Sequence, residues 1–229
     1  MGKQMNNRLH RINLLIGEDN VEKLKKSTVM VVGCGAVGSF AIESLARCGI
    51  GHLIIIDFDK IEESNINRQL FALDSTIGKP KVDVAEQRIH DINPDIIVDA
   101  YNLFFDENTH IDIKPDFVID AIDSVQSKIA LYKWCFDNNV PFISSMGAAR
   151  KTDITQIKVG TILKTTVCPL AAKIRKIVRE SKMPNFPVVY STEVATPQIN
   201  GGHEFGSIIN ITGTFGLMLS DFVIKNLLK

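Results

Sequence analysis

Gly33, Gly35 and Gly38 stand in the pattern G-x-G-x-x-G, and Asp57, Asp59, Asn65, Arg68, Gln69 and Lys81 follow them in order. Each of these residue types suits one task in gripping a nucleotide. The first glycine permits a tight turn, and the second lets backbone N–H groups approach a phosphate. The third lets the next helix pack close to its strand, with its positive end toward the anion. Asp57 lies nineteen residues after Gly38, where a carboxylate can accept from ribose hydroxyls. Arg68, within N-x-N-R-Q, can fork two phosphate oxygens, and Lys81, thirteen residues later, supplies a point charge. The glycine pattern alone would also fit a nicotinamide dinucleotide, as in an NAD-dependent oxidoreductase. The polar string after Asp57 has no use there and suits a whole triphosphate. Two more carboxylates occur in VIDAIDS. Asp123 is the better metal candidate, and Asp120 serves to cap or brace.

These side chains need elements that end beneath them. Val29 to Val32 is an apolar, β-branched run that reads as a buried parallel strand. A helix follows over Ser39 to Cys48, stopped by Gly49 and Gly51. His52 to Ile56 is the second strand and delivers Asp57. Residues 61–76 form an irregular arm with the N-R-Q cluster. Pro80 starts a helix to Ile92 whose apolar face is Val82, Ala85, Ile89 and Ile92, and this puts Lys81 near a helix N-terminus. Further strands are expected at Ile96–Tyr101, Phe117–Ile119 and Val140–Ser145, with a helix from Val125 to Asn138. Carboxylates at the carboxyl ends of such strands face a ligand crevice. The fold class is therefore α/β, a doubly wound, mostly parallel Rossmann-like sheet.

The rest of the chain extends that sheet. Thr155 to Ile162 alternates polar and apolar and predicts an added antiparallel strand. Pro169 to Ser181 is a helix carrying Lys173, Arg175, Lys176 and Arg179, with Lys182 just beyond. Residues 183–206 form a crossover or lid loop around a short strand, Val188 to Tyr190, with His203 and Glu204 as surface residues. Ser207 to Leu228 is long and apolar but carries Asn210, Asp221, Lys225 and Asn226. Charge in a bilayer centre is costly, so a buried C-terminal helix is expected and not a membrane span.

With 229 residues and 45% hydrophobic content, the chain can bury one good core. One domain, 1–229, is expected, with an N-terminal arm (1–27) and a C-terminal extension of the sheet (152–229). Zero formal net charge means that any nucleic-acid contact must come from a local basic patch. Cys34, Cys48, Cys135 and Cys168 form no C-x-x-C pair, which suits a reducing cytosol. Cys34 and Cys48 read as small buried fillers. The polar N-terminus lacks the apolar core of a signal peptide, so a cytoplasmic location is expected.

The stretch from Thr28 to Lys81 resembles the adenylating enzymes related to ubiquitin-activating enzymes and to the thiamine and molybdopterin sulfur-carrier adenylyltransferases. The resemblance implies ATP and Mg²⁺ as cofactors. It implies that the glycines and Asp57 hold the adenosine, that Asn65, Arg68 and Lys81 hold the phosphates, and that Asp123 holds Mg²⁺. It also implies a homodimer in which an N-terminal arginine, Arg8 or Arg11, reaches the neighbouring subunit's ATP site. The C-terminal half lacks the paired cysteines frequent in the sulfur-carrier branch. It is similar instead to the branch of tRNA threonylcarbamoyladenosine dehydratases, through RLHRINLLIG from Arg8, ISSMGAARKTD from Ile143, LKTTVCPLAAKIR from Leu163, YSTE from Tyr190, and the FG and TGTFG segments near the C-terminus. That branch implies a modified tRNA as substrate, with Arg150, Lys151, Lys164, Lys173 and Arg175 as candidates for holding its phosphates. It leaves room for a sulfur-transfer or accessory protein as partner. Cys168 departs from the branch, which commonly has aspartate before that proline. The alternative reading is a sulfur-carrier activator that binds a small protein's Gly-Gly tail.

Overall fold

A computed structural model describes residues 7–197 and 205–229. Its centre is a sheet of seven strands in the order β3-β2-β1-β4-β5-β7-β6. The strands are β1 (Thr28–Val32), β2 (His52–Ile56), β3 (Ile97–Tyr101), β4 (Phe117–Asp120), β5 (Phe142–Ser145), β6 (Ile157–Thr161) and β7 (Pro187–Ser191). The helices are α1 (His10–Ile16), α2 (Glu18–Lys26), α3 (Gly38–Cys48), α4 (Lys81–Ile92), α5 (Val125–Asp137), α6 (Pro169–Glu180) and α7 (Ile209–Leu227).

Strand residues alternate between two cores, as a period-two pleat requires. Val29 and Val31 of β1, with Leu53 and Ile55 of β2, pack with Ala41, Ile42 and Leu45 of α3, Val82, Ala85 and Ile89 of α4, and Phe215 and Leu219 of α7. Met30 and Val32, with Ile54 and Ile56, face Leu131 and Tyr132 of α5 and Ala171, Ile174 and Val178 of α6. Both faces are thus covered, which is why these strands read as unbroken apolar runs. The second core ends in a ring cluster, where Tyr132 stacks on Phe142 at 5.3 Å and Phe186 lies 4.6 Å from Tyr132.

α7 is the buried terminal helix expected from its sequence. It lies so close to α3 that a Cβ on Gly216 would stand 2.3 Å from the Val37 carbonyl oxygen. Among the described residues no helix is long and apolar enough to cross a membrane.

Two details differ from expectation. The 187–191 strand is not an island in a loop. It enters the sheet parallel to β5 and antiparallel to β6. The sheet therefore gains one antiparallel strand, and β6 becomes its edge. Val188 and Val189 are buried there, because α5 and α6 cover one face and α7 the other. Second, α1 was not expected, since its Leu14 and Leu15 lie exposed side by side and show no single apolar face. His203 and Glu204 lie outside the described residues.

Surface charge ties the first crossovers together. Glu43 of α3 accepts two bonds from Arg88 of α4, each 2.9 Å, and one from Arg47 at 2.7 Å. Burial pushes the Glu43 carboxyl up, but the bonds from Arg88 and Arg47 outweigh it and hold the group below its usual range. A carboxyl with a lowered folded-state pKa adds stability above its unfolded pKa and loses it as pH falls through the folded one. Glu43→Gln is therefore expected to cost about 1 kcal/mol at pH 7. In urea titrations that difference should shrink to nothing once the wild-type carboxyl is protonated. A difference unchanged on acidification would show that the pair contributes nothing.

Candidate nucleotide-binding site

The chain reverses its strand order between β1 and β4, and a ligand crevice is expected outside the carboxyl ends of strands at such a point. A cleft of about 890 Å³ opens there, with Gly33, Asp57, Arg68, Lys81, Asp123 and Lys151 among its lining residues.

Its floor is the turn between β1 and α3. Gly33 has φ +100°, and a Cβ there would meet the Ala121 carbonyl oxygen at 2.7 Å. A Cβ on Gly38 would lie 1.7 Å from the Gly33 carbonyl oxygen. Both positions therefore exclude any side chain, and the N-terminus of α3 is brought to the cleft. Gly38→Ala is expected to cost about 1–3 kcal/mol through backbone displacement and to weaken nucleotide binding at least tenfold. A thermal melt and a nucleotide titration on the same sample check both effects. Unchanged affinity would show that the turn tolerates the shift.

Asp57 leaves β2 into this turn. Its Oδ2 accepts from Cys34 N at 2.6 Å and its Oδ1 from Asp59 N at 2.8 Å. Burial raises the Asp57 carboxyl above its ordinary value, against the pull of Lys81 and of those N–H groups. Lys81 is buried at the start of α4 and donates to Asp59 Oδ2 at 2.8 Å. The arm between them is pinned at its neck, where Ile61 N donates to Lys79 O and Lys81 N to Asp59 O. Leu70 N donates to Ser39 Oγ on α3, and Asn67 Nδ2 to Ser207 O just before α7. Thus Asp57, Asp59, Arg68, Gln69 and Lys81 converge on one cleft.

Asn65 is placed differently. It is buried outside the cleft lining, and its Oδ1 accepts from Glu62 N to close a capping box on a short 3-10 turn. Its contribution runs through the arm's shape, because Arg68 N and Gln69 N both donate to the Asn65 carbonyl.

Asp123 is an exposed carboxylate on the cleft wall after β4. Asp120 beneath it is wholly buried. Its Oδ1 accepts from Ile122 N, and its Oδ2 accepts from Lys128 Nζ at 2.7 Å, Tyr132 OH at 2.9 Å and Ser144 Oγ. Lys128 also donates to the Ser145 carbonyl at 2.7 Å. This bridge joins the loops after β4 and β5, so Asp120 is the brace expected of it. The sequence reading missed Lys128, which lies eight residues after Asp120 on the first turn of α5 and carries no sequence mark that separates it from a surface lysine. It also missed Phe58 and Phe104, which meet edge to face at 5.0 Å on the cleft rim. Phe58 directly follows Asp57, and that was the available cue.

The five cations suggested for tRNA phosphates do not share one surface role. Lys164 and Lys173 are exposed, and Lys173 lines the cleft mouth. Arg150 lines the cleft with its guanidinium over the Phe205 ring. Arg175 is half-buried and donates to Thr165 O and Oγ1. Lys151 is buried. Unlike the exposed Lys164 and Lys173, it lies in the cleft wall and offers little surface to a polynucleotide backbone. Arg8 donates to the Ile92 carbonyl at the far end of α4 and does not line its own cleft.

Cys34, Cys48 and Cys135 are not poised as nucleophiles. Burial, then Asp57, raises the Cys34 thiol well above its usual value, and burial also raises Cys48 and Cys135. Cys168 caps α6, its Sγ accepting from Ala171 N at 3.5 Å. The glycine turn, Arg68 and Lys81 suit this cleft to positioning a phosphorylated ligand and neutralising its charge.

A glycine turn between strand and helix, with acid and cations at the strand-order reversal, defines a Rossmann-like nucleotide-binding protein. The sequence profile of the ThiF family matches residues 7–229, and the chain belongs to that family. It is 46% identical over 187 residues to the tRNA threonylcarbamoyladenosine dehydratase of Bacillus subtilis strain 168, a match covering 80% of this chain and 74% of that protein. Its structure superposes on that of Escherichia coli tRNA N6-threonylcarbamoyladenosine dehydratase in complex with AMP, with a TM-score of 0.92 and 34% identity over 99% of this chain and 96% of the other. The ATP complex of the same E. coli protein superposes with a TM-score of 0.91 at 34% identity, with the same coverage.

Proposed function

We propose that this chain uses ATP to dehydrate and cyclise threonylcarbamoyladenosine in tRNA. The observation that supports this reading most is the convergence of the glycine turn, Asp57, Arg68 and Lys81 on one cleft, in a chain similar over nearly its whole length to dehydratases of that name. The carboxylate of the modification attacks the α-phosphorus of ATP. A P–O bond to the α-phosphate forms, the bond to the β-phosphate bridge breaks, and pyrophosphate leaves. The ureido group of the same modification then attacks the acyl carbon, loses its proton and expels AMP. The modified base leaves lighter by one water. Because the second attack is intramolecular, no enzyme thiol is required.

In this reading Asp57 holds the ribose, and the N–H groups of the glycine turn hold phosphate with the start of α3. Arg68 and Lys81 neutralise the charge that builds on the departing phosphates, while Asp59, Asn65 and Gln69 hold the arm and Lys81 in place. Asp123 fits Mg²⁺, since that ion takes one or two carboxylates and fills its other positions with water and substrate phosphates. Bound there, Mg²⁺ would supply further positive charge beside the triphosphate. The exposed cations, Lys164 and Lys173, serve the tRNA backbone. We extend the reading to a cytoplasmic homodimer, with Arg8 directed to the neighbouring subunit.

The test uses purified protein, Mg-ATP and tRNA bearing the open modification. AMP and pyrophosphate are followed, and the digested nucleoside is weighed. A nucleoside lighter by one water, formed only with ATP, is the expected result. AMP formed only with a small Gly-Gly-tailed protein would make the chain a sulfur-carrier activator. No AMP with either substrate would overturn adenylation.

A further inference from the structure

Three lysines are buried among the described residues: Lys81, Lys128 and Lys151. An ammonium carries three donors, and burying it without a counter-charge is costly. Lys128 is matched by the Asp120 carboxylate, Ser144 Oγ and the Ser145 carbonyl. Lys81 is matched by the Asp59 carboxylate. Lys151 is only 3% exposed, and its sole hydrogen-bond partner among the described residues is the backbone carbonyl of Glu193. It forms no ion pair among those residues.

The neighbouring acid is engaged elsewhere. The Glu193 carboxylate accepts from Thr152 N, Thr152 Oγ1 and Asp153 N, each at 3.0–3.1 Å. Burial pushes this carboxyl up, but those bonds, helped by the charge of Lys151, bring it below its usual range. Glu193 thereby clamps the loop after β5 to the end of β7 and fixes Lys151 in place without closing an ion pair on it.

Lys151 also lines the cleft. It sits on the β5–β7 side, across the sheet from Asp57 at the end of β2. A nucleotide seated on β1 and β2 leaves that side for the second substrate. We infer that Lys151 receives the carboxylate of the acyl substrate and aims it at the α-phosphorus. This deepens the reading proposed above and rests on it for the identity of the substrate. An inserted modified base can reach a buried ammonium that offers little surface to a tRNA backbone. Lys151 is then a catalytic residue that touches substrate, and Glu193 is its positioning residue.

The test measures binding, with turnover blocked by a non-hydrolysable ATP analogue. The probes are three anticodon stem-loops, bearing threonylcarbamoyladenosine, its methyl ester, or unmodified adenosine. The wild type is expected to bind the acid at least tenfold tighter than the ester. Lys151→Met, and Lys151→Gln as a second variant, should bind acid and ester alike, with ATP-analogue affinity within about twofold of wild type. The inference is overturned by a wild type that does not distinguish acid from ester, or by variants that keep the full preference. It is also overturned if the variants lose tenfold in affinity for the ATP analogue, which would give Lys151 to the phosphates. An equal loss for the unmodified stem-loop would restore the backbone contact and overturn it too. AMP release by the wild type, measured separately, tests the dehydratase reading. Acid preference without AMP would sink that reading and leave the role of Lys151 standing.

Discussion

Arg68→Ala is expected to slow AMP release about 10²–10³-fold, the usual cost of removing one preorganised group that stabilises developing negative charge. The guanidinium is set in advance. Its Nη1 donates to the Ser64 carbonyl at 2.7 Å and to Asn67 Oδ1 at 2.8 Å. Those bonds fix one edge of the planar fork, and the remaining N–H groups belong to a residue on the cleft wall. Preorganisation matters because the transition state then finds its donors already aligned. Arg68→Lys should recover only part of the rate, since a point charge cannot fork two oxygens. Single-turnover AMP release under saturating ATP checks the loss, and circular dichroism checks that the arm still folds. A rate within threefold of wild type would remove Arg68 from the phosphate site.

The second large effect is on stability. Lys128→Met leaves the Asp120 charge buried with no counter-charge. Both side chains are 0% exposed, so water cannot replace the lost ammonium. Breaking a buried pair from one side costs about 3–5 kcal/mol, which lowers the melting temperature of a chain this long by about 10 °C. Tyr132 OH and Ser144 Oγ still donate to Asp120, but neither carries charge. The double variant Asp120→Asn/Lys128→Met removes both charges and should be less destabilised than Lys128→Met alone. Equal melting temperatures for the two variants would show that hydrogen bonding and not charge holds the bridge. The same bridge fixes the loops after β4 and β5, because Asp120 accepts from Ile122 N and Lys128 donates to the Ser145 carbonyl. Asp123 sits on the loop after β4 and lines the cleft, so the variant should also weaken binding of Mg-ATP.

Much of this molecule is determined locally. β1, β2 and β4 are short apolar runs, and only a strand covered on both faces can bury every residue of such a run. The glycine turn is legible because a Cβ at Gly33 or Gly38 would strike backbone, and backbone clashes do not depend on what else the chain does. Asp57 and Lys81 follow from the same logic, each placed within one residue of an element's end. The α6 start at Pro169 and the apolar face of α4 are likewise written in residue type and period.

What the sequence left open depends on contacts between distant segments. Whether Val188 and Val189 form a strand inside the sheet turns on β5, which lies more than forty residues earlier and offers them a free edge. A lysine reads as a surface cation until its burial is known, so Lys128, Lys151 and Lys173 look alike in the chain. Tertiary packing gives them three fates: paired in the core, buried against the cleft with only a carbonyl, and exposed at its mouth. Asn65 looked like a ligand because it sits in N-x-N-R-Q, yet the turn it caps takes its oxygen first. The physical reason is common to all of these. Hydrophobic period and backbone sterics act over a few residues, whereas desolvation and charge pairing are set by whatever the folded chain brings near.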